Sequence, residues 1–455
     1  MATTTNKVLT VRAKLIQNGI AIKVLDKIYK AEYPRHIWQS TPQSIRQVLL
    51  DNLTLAYTHI LPLILDKNKI KYDFTIPFLE PFFFKNQLYD LLDCERADQV
   101  KHLSYLKNFY NLEYEFKPGK SQLPNNKQIP RLPTEKPTAV LPFTFGKESL
   151  LSLGLCLELG IKPILVYCQE LGHPYEEKYK LKKITKLKQE FKIDTYFIKN
   201  EPGLFRYGIS FGLKNKTEIG WGAQTTILAL AMVPFVFSYK AQYIIYGSEF
   251  SNNDYLWQKG WKSYVSFDQT GFWSREQDIM VKLLTANQVS VRNILEPLDQ
   301  IVIFFIITNR YPQLMPYLFS CFAQKPLYRN SQWCHQCYKC EKIFTFSLAL
   351  GIDPLEIGFE KDMTLGSNYL NEYFSGKEND LDLDFALYIL TRKGFKGPFI
   401  DKFKRKKINK IKSWKWYVDY FNKIKNYENL LDYRQEKLLN IFREELRAFR
   451  KILPR

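Results

Sequence analysis

Short apolar runs alternate with longer amphipathic stretches through the middle of the chain. From residue 138 onward, apolar runs at 138–145, 162–170, 194–200 and 241–249 are separated by segments with helical spacing. Strands that alternate with helices, and are themselves almost continuously apolar, are typical of a parallel sheet covered on both faces. The pattern therefore predicts an α/β fold of Rossmann-like type in this part of the chain.

The segment before this region has a different pattern. Residues 8–15 and 19–25 predict a pair of strands, and residues 44–65 have the spacing of a helix. Residues 117–137 contain five prolines and no apolar periodicity, which is typical of a linker. We expect an N-terminal α+β domain over residues 1–116, which is a candidate for substrate binding.

The remaining boundaries follow from composition. We expect an α/β domain over 138–320, a four-cysteine module over 321–355, and a helical, basic C-terminal region over 356–455. A chain of 455 residues is too long for one compact core, so several domains are expected.

The longest apolar segment, residues 225–237, predicts a buried helix. It contains Pro234 and is shorter than the ~20 residues that span a bilayer. The N-terminus has no apolar stretch of the kind found in secretory signals. We expect a cytoplasmic protein with no membrane span.

The formal net charge of +20 raises the question of a polyanionic partner. Residues 392–455 hold 20 Lys and Arg against 7 Asp and Glu, so most of the excess lies there. This region could bind nucleic acid. The alternative is a Lys-rich compositional bias that needs no partner.

A turn at the end of the first predicted strand of the α/β region is a candidate anion site. TFGKES, residues 144–149, lies between that strand and a helix for which we expect Ser149 to be the N-cap. Backbone N–H groups and the helix dipole favour anions at such an end. The turn fits neither the Walker pattern nor GxGxxG. The alternative is a plain strand–helix corner.

Four cysteines form the second constellation, in the spacing C-x12-C-x2-C-x2-C. Four thiolates that can converge are typical ligands of tetrahedral Zn²⁺, here Cys321, Cys334, Cys337 and Cys340. His335 is adjacent and could replace Cys321. Because four thiolates leave no open position, we expect a structural metal.

The loop GSEFSNND after the fourth strand of the α/β region is the third constellation. Glu249 and Asp254 could hold Mg²⁺ on a nucleotide or take a proton from a substrate. The alternative is a polar loop in which Asn and Asp form turns. Further along, Asp268 and Arg275 could contribute to recognition of an anionic substrate.

The turn resembles the Ser-Gly-Gly-x-Asp-Ser signature of the N-type ATP pyrophosphatases, or PP-loop superfamily. Gly146 and Ser149 match it, Thr144 stands for the first serine, and Glu148 stands for the aspartate. Phe145 replaces a glycine, which departs from the signature.

The order of the three motifs resembles two families in this superfamily. WCHQCYKCEKIF, the single-glycine turn and GSEFSNND resemble the UDP-N-acetylmuramoyl-L-alanyl-L-glutamate epimerase family, whose members are about this long. The four-cysteine run also resembles that of 7-cyano-7-deazaguanine synthases, which are shorter chains. The likeness covers about residues 138–355.

The resemblance implies an ATP-dependent enzyme that attaches AMP to a substrate carboxylate and releases diphosphate. The diphosphate would rest on the N–H groups of residues 144–149, and the adenine would lie near Val166, Tyr167 and Cys168. Lys147, Glu148, Glu249 and Asp254 become the candidate catalytic residues, and ATP, Mg²⁺ and Zn²⁺ the expected cofactors.

The second step is left open by the sequence. Removal and return of the α-proton would give an epimerase, for which a nucleotide-linked muropeptide is a candidate substrate, whereas attack by an amine would give an amide or nitrile. The alternatives are a deazaguanine- or tRNA-modifying enzyme and a non-catalytic nucleotide- or nucleic-acid-binding protein.

Overall fold

The fold is built on one sheet of ten strands, seen in a computed structural model of the chain. The structure describes residues 7–98, 103–124, 127, 129–132, 137–213, 218–321, 333–360, 362–363, 370, 373–374 and 380–455. The strands of the sheet are β1 Val8–Ile16, β2 Gly19–Val24, β3 Lys27–Glu32, β4 Lys69–Tyr72, β5 Glu113–Glu115, β6 Thr138–Pro142, β7 Lys162–Cys168, β8 Asp194–Asn200, β9 Tyr243–Tyr246 and β12 Ser290–Asn293. A separate hairpin is formed by β10 Tyr255–Gln258 and β11 Trp261–Tyr264.

Helices account for most of the other described elements. Those before and within the α/β region are α1 Arg35–Ser40, α2 Gln43–Thr58, α3 Leu61–Ile64, α4 Glu80–Ala97, α5 Ser104–Tyr110, α6 Lys147–Glu158, α7 Pro174–Phe191, α8 Gln224–Ala231, α9 Val233–Tyr239, α10 Gly271–Leu284 and α11 Gln300–Arg310. Those that follow are α12 Tyr338–Leu350, α13 Leu381–Arg392, α14 Pro398–Lys406, α15 Trp414–Phe421 and α16 Gln435–Ile452.

The strand order is β12-β9-β6-β7-β8-β3-β2-β1-β4-β5. The first five strands are all parallel, as the sequence predicts, whereas β3 pairs antiparallel with β8. The strands of the N-terminal region and of the α/β region therefore share one continuous sheet. The predicted strand pair near the N-terminus is confirmed as the antiparallel pair of β1 and β2.

The parallel strands are covered on both faces, as predicted. Successive side chains of a strand point to opposite faces of the sheet, so alternate residues of β6 lie in two different cores. Leu141 lies in a core with α6, α7, α11 and the C-terminal helices. Val140 lies in a second core with α2, α8, α9 and α10.

The long apolar segment is interior to the protein. By length and composition residues Trp221–Tyr239 could cross a membrane, but 72% of that window is buried inside the fold. The predicted single helix is broken between α8 and α9, because Pro234 occupies the first turn of α9 and lacks a backbone N–H. These helices belong to the second core, which favours a core role.

The close contact between Gly154 of α6 and Tyr311, the residue after α11, gives a first test of the fold. A Cβ on Gly154 would lie 2.8 Å from the ring of Tyr311, which is buried and whose hydroxyl donates to Glu158. Gly154→Ala should gain about 1 kcal/mol of helix propensity but lose about 1–3 kcal/mol to overpacking. We expect a lower melting temperature, measured by circular dichroism.

Tyr311→Ala provides the matched background, because it removes Cγ, Cδ1 and Cδ2, the ring atoms that a Cβ on Gly154 would meet. Gly154→Ala should cost less stability there than in the unmodified chain. An alanine variant that melts higher than the unmodified protein would contradict this packing.

Candidate functional site

The candidate site lies where the direction of the chain through the sheet reverses. From β6 the chain proceeds to β7 and β8 on one side, and then returns to place β9 and β12 on the other. In open α/β sheets, ligands bind beyond the carboxyl ends of the strands at such a switch point. The turn at 143–146 follows β6, and the loop at 247–254 follows β9, so both lie at this position.

The turn is fixed by backbone hydrogen bonds on both sides. The Phe143 N–H donates to the Val166 carbonyl, and the Phe145 carbonyl accepts from Phe319, each at 2.9 Å. Phe145 has φ 64°, in the left-handed region that glycine occupies without strain. Its ring is fully buried and packs edge-on against Phe143, with centroids 4.8 Å apart. The residue that replaces a glycine of the signature thus keeps a glycine-like backbone and directs its ring into the core.

The prediction that Ser149 is the N-cap of the helix is wrong. α6 begins at Lys147 with Gly146 at the N-cap position, so Ser149 lies inside the first turn, where its hydroxyl donates to the Gly146 carbonyl at 3.1 Å. The left-handed residue 145 turns the chain earlier than a serine cap would. Thr144 is exposed beside this helix end, while Gly146 and Ser149 are buried.

Lys147 and Glu148 form an ion pair at the start of α6. Burial disfavours the ammonium of Lys147, but Glu148 and Glu249 offset this and raise its pKa. Burial would also raise the pKa of Glu148, but the pairing with Lys147 and a hydrogen bond from its own backbone N–H hold that pKa below its ordinary value. The carboxylate of Glu148 therefore lies at the positive end of α6, where an anionic ligand would be favoured.

Glu249 is the third charged group at this position. Burial, followed by the negative charge of Glu148, raises the pKa of its carboxyl, and Lys147 only partly opposes the shift. Lys147, Glu148 and Glu249 are thus brought together from two loops of the switch point, although 100 residues of sequence lie between the turn and the strand-tip loop.

Asp254 belongs to a different group of charges. It is exposed, and its charged neighbours are Lys425 and Asp380 rather than Lys147. Lys425 is buried 3.2 Å from Asp299, and the N–H of Lys425 donates to Pro297. Burial lowers the pKa of Lys425 to about 8 and raises that of Asp299 to about 6. Asp299 lies within electrostatic range of both Asp254 and Glu249, and the joint action of these two carboxylates stays a prediction.

The residues expected near an adenine lie at the end of β7. Val166 and Tyr167 are buried in opposite cores, and the Tyr167 hydroxyl donates to Glu177 at 2.7 Å. Cys168 is half-buried at the end of the strand. The side chains of Val166 and Tyr167 are committed to packing, and the Val166 carbonyl accepts from the Phe143 N–H.

The two other residues suggested for anion recognition have structural partners. Asp268 is buried and accepts from the Thr225 N–H at 2.7 Å and from its hydroxyl at 2.9 Å. Arg275 is half-exposed and pairs with Glu428 at 2.6 Å. This pair ties α10 to the segment between α15 and α16.

A charged pair on α7 was missed by sequence reasoning. Lys180 pairs with Glu176 and both are buried. The signal was present in the helical spacing, because Glu176 and Lys180 lie on the same face as the buried Ile184 and Leu187. Because the Glu176–Lys180 pair continues the apolar face of α7, its spacing indicates a position inside the protein rather than in solvent.

The four predicted cysteines converge as the sequence indicates. Their ligand atoms all lie within 4.8 Å of one another, and four sulfur pairs are separated by 3.5–3.9 Å. A tetrahedral Zn²⁺ with Zn–S bonds of about 2.3 Å places its sulfurs about 3.8 Å apart. The backbone N–H groups of Gln336 and Cys337 donate to Cys334 at 3.4 and 3.3 Å. The cluster can hold a metal ion such as zinc, and among the described residues no other group of three or more His, Cys, Asp and Glu does so.

His335 does not take the place of Cys321. Its Nε2 accepts from the Glu360 N–H at 3.0 Å, while Cys321 lies within the thiol cluster. The left-handed backbone of His335, with φ 58°, turns its ring away from the neighbouring cysteines and toward Phe359.

The cysteine cluster and the turn are joined directly. Phe319, which donates to the Phe145 carbonyl, lies two residues before Cys321 and stacks on Tyr179 of α7. On the other side of the cluster, Cys337 caps α12, whose first turn carries Tyr338 and Lys339. Both of these side chains lie within electrostatic range of Glu148.

Comparison with known proteins identifies no family for this chain. No protein-family model matches the chain, and no curated protein matches it at a significant level.

The metal cluster gives the next prediction. Cys337→Ser removes one thiolate, so it should lower the bound metal and the melting temperature together, because metal binding contributes folding energy. We expect loss of most of a stoichiometric zinc ion by elemental analysis. Cys168→Ser, outside the cluster, is the control and should keep the metal. Full metal content and unchanged stability in Cys337→Ser would show that the cluster is not a site.

Glu249 gives a pH-dependent prediction. Because its pKa is raised on folding, the native state holds this proton to a higher pH than the unfolded chain does. This group therefore lowers stability as the pH rises above its unfolded pKa of about 4.3. Glu249→Gln should be as stable as the unmodified protein near pH 4 and more stable at neutral pH, by thermal unfolding. Equal stabilities across that range would contradict the buried arrangement.

Proposed function

We propose that the protein is an ATP-dependent, AMP-forming enzyme that adenylates a substrate carboxylate, most like a UDP-N-acetylmuramoyl-L-alanyl-L-glutamate epimerase. The observation that carries the proposal is the meeting of Lys147, Glu148 and Glu249 at the switch point of the parallel sheet. A lysine held with two carboxylates at a helix N-terminus supplies charges of both signs where a nucleotide would bind.

The first step forms an acyl adenylate. An oxygen of the substrate carboxylate attacks the α-phosphorus of ATP, and the bond to the bridging oxygen breaks, so that diphosphate leaves with the electron pair. Lys147 and the N–H groups at the start of α6 would stabilise the charge that develops on the diphosphate. Glu249 would hold Mg²⁺ on the nucleotide, since Mg²⁺ bound with substrate phosphates needs only one or two carboxylates.

The second step uses the acidity that adenylation creates. The carboxylate charge is removed in the mixed anhydride, so the proton on the adjacent carbon becomes easier to abstract. A base would take that proton and return a proton to the opposite face, and water would then release AMP and the inverted acid. As the alternative to holding Mg²⁺, Glu249 is a candidate for this proton transfer, because burial and Glu148 raise the pKa of its carboxyl. Asp254, exposed at the end of the same loop, would contact the substrate.

The metal cluster would be structural in this reaction. Four thiolates leave no open coordination position. The hydrogen bond between Phe319 and the Phe145 carbonyl ties the segment that enters the cluster to the turn. The metal would thus fix the shape of the turn without taking part in chemistry.

The experiment is a release assay for AMP and diphosphate over a panel of carboxylates. A glutamate-terminated muropeptide precursor should release both products. Release with a deazapurine carboxylic acid or with transfer RNA instead would favour a nucleobase- or tRNA-modifying enzyme. ATP binding without AMP from any member would favour a non-catalytic nucleotide-binding protein.

The basic C-terminal region is a reason to include transfer RNA among the substrates of this assay. Lys404, Arg405 and Lys406 on α14 are exposed, and none of them pairs with a carboxylate in the part of the chain that the structure describes. Uncompensated basic side chains on one helix are the usual contacts of a phosphate backbone.

Substitutions in the turn test the assignment of the phosphate site. Lys147→Ala should lower kcat/KM for AMP release by about 100-fold or more, because a charge is lost where the transition state develops one. Ser149→Ala should cost less, since its hydroxyl acts through the Gly146 carbonyl. Lys178→Ala, an exposed lysine on α7, is the control and should be unchanged. Equal values of kcat/KM for AMP release in Lys147→Ala and in the control would show that the turn takes no part in the reaction.

A further inference from the structure

The β10–β11 hairpin exposes aromatic side chains that the rest of the protein buries. Of the eight tryptophans in the chain, only Trp257 and Trp261 are exposed, with 66% and 53% of their surface in solvent. Leu256 and Val265 of the same segment are also exposed. The two strands pair only with each other, outside the ten-stranded sheet. Adjoining apolar side chains left in solvent are typical of an interaction site.

The turn of the hairpin determines where the two indoles lie. Lys259 has φ 49° and Gly260 has φ 87°, the positive values that a two-residue type I′ turn requires at both positions. This turn places Trp257 opposite Lys262, while Trp261 belongs to the next pair along the strands. Neighbouring pairs point to opposite faces of a hairpin. The two indoles therefore lie on opposite faces, on either side of the turn.

A lysine lies among the rings on one of these faces. The Lys262 ammonium is 4.5 Å from the ring centroid of Tyr255 and 5.9 Å from that of Trp257. The Tyr255 and Trp257 rings are themselves 5.9 Å apart. A cation over aromatic faces is attracted by the ring quadrupoles, so the ammonium and the rings form one surface.

The base of the hairpin is packed against α4. Tyr89 of α4 contacts the edge of Tyr264 with centroids 5.8 Å apart, and it stacks on the buried Phe267 at 4.0 Å. Ser263 is also buried. A two-stranded hairpin alone is marginally stable, and this packing supports it. The hairpin is thus a held platform whose turn end projects into solvent.

The surface of the hairpin is positively charged. Residues 255–266 contain two lysines and neither Asp nor Glu. In the part of the chain that the structure describes, neither lysine pairs with a carboxylate. The preceding Asp254 has Lys425 and Asp380 as its charged neighbours, and the following Asp268 is buried against Thr225. The charge of the platform is therefore complementary to an anion.

We propose that the β10–β11 hairpin binds single-stranded nucleic acid, with bases stacked on Trp257 and Trp261 and the intervening phosphate facing Lys259. Lys262 would contact a further phosphate on the Trp257 face. Exposed rings beside lysines are how proteins bind single strands without reading their sequence, because every base has a face that can stack. The inference goes beyond the proposed reaction and does not depend on it.

Two other occupants suit the hairpin less well. A hairpin that enters a membrane would place apolar residues at its turn, whereas this turn is Lys259 and Gly260. A single nucleotide would use one ring in a concave pocket. Two indoles on opposite faces with a lysine between them suit two successive bases joined by a phosphate. A duplex keeps its bases stacked on each other and therefore does not offer their faces to the rings.

The experiment measures binding of a labelled oligouridylate of about ten nucleotides to the full, metal-loaded chain by fluorescence anisotropy. Trp257→Ala and Trp261→Ala should each weaken binding by about tenfold or more, because each removes a stacking face. Trp257→Phe should retain part of the affinity. Lys262→Gln should weaken binding and lower the salt dependence by about one released counterion.

Two controls separate the platform from general exposure and charge. Tyr110→Ala removes an exposed aromatic side chain of α5, and Lys178→Gln removes an exposed lysine of α7. Both should bind the oligouridylate as the unmodified chain does. Because Trp257 and Trp261 are exposed, their variants should also keep the melting temperature of the unmodified chain.

The remaining outcomes decide what occupies the hairpin. Equal affinity of the unmodified chain and both tryptophan variants for the oligouridylate overturns the site. Equal affinity for uridine monophosphate and for the oligouridylate, or for a duplex of the same length, overturns the single-strand assignment. Binding to vesicles of phosphatidylglycerol that the tryptophan variants lose, without binding of the oligouridylate, overturns it in favour of a membrane surface. Oligouridylate binding that both tryptophan variants lose supports the site, whether or not any carboxylate releases AMP.

Discussion

The parallel pairing of β6 with β7 on one side and β9 on the other is the constraint on which the rest of the structure depends. Because all three strands run in the same direction, the segments that leave them start from the same edge of the sheet. Because the chain proceeds away from β6 in one direction and returns in the other, the segments after β6 and β9 meet there rather than being covered by a crossing helix. For this reason Glu249 is a neighbour of Lys147 and Glu148, although it is distant from them in the sequence.

The regions around the sheet hold this edge in place. The cysteine module approaches from one side, through Phe319 and the start of α12. The segment between α15 and α16 closes the other side, where Glu296 accepts the N–H groups of Glu428 and Asn429, each at 2.9 Å. These contacts satisfy the Phe145 carbonyl and the Asn429 N–H, which lie at buried positions where an unmade hydrogen bond is costly. The C-terminal region is therefore part of the architecture of the site, and its excess of basic residues surrounds a segment that packs on the sheet edge.

The pattern of the sequence was sufficient for the α/β core but not for the geometry of the site. Apolar runs that alternate with helical segments depend on burial alone, so β8 was placed to the residue and the two-sided cover of the sheet was confirmed. The convergence of the four cysteines also followed from spacing and chemistry. The start of α6 was missed because a left-handed Phe145 moved the turn forward, and such a conformation has no signal in a bulky aromatic residue. Lys425 was missed because its partner Asp299 is far away in the sequence, whereas the pairing of Lys180 with Glu176 had a signal in the helical spacing that was overlooked.

The glutamate at position 148 explains how a buried lysine can be retained at the start of α6. An ammonium removed from water without a partner is strongly disfavoured, and the N–H groups of a helix end also need acceptors. Glutamate is one methylene longer than the aspartate of the PP-loop signature, so its carboxylate can reach both its own N–H and Lys147. This carboxylate also lies within electrostatic range of Glu249, and two neighbouring carboxyl groups favour either a shared proton or a divalent cation.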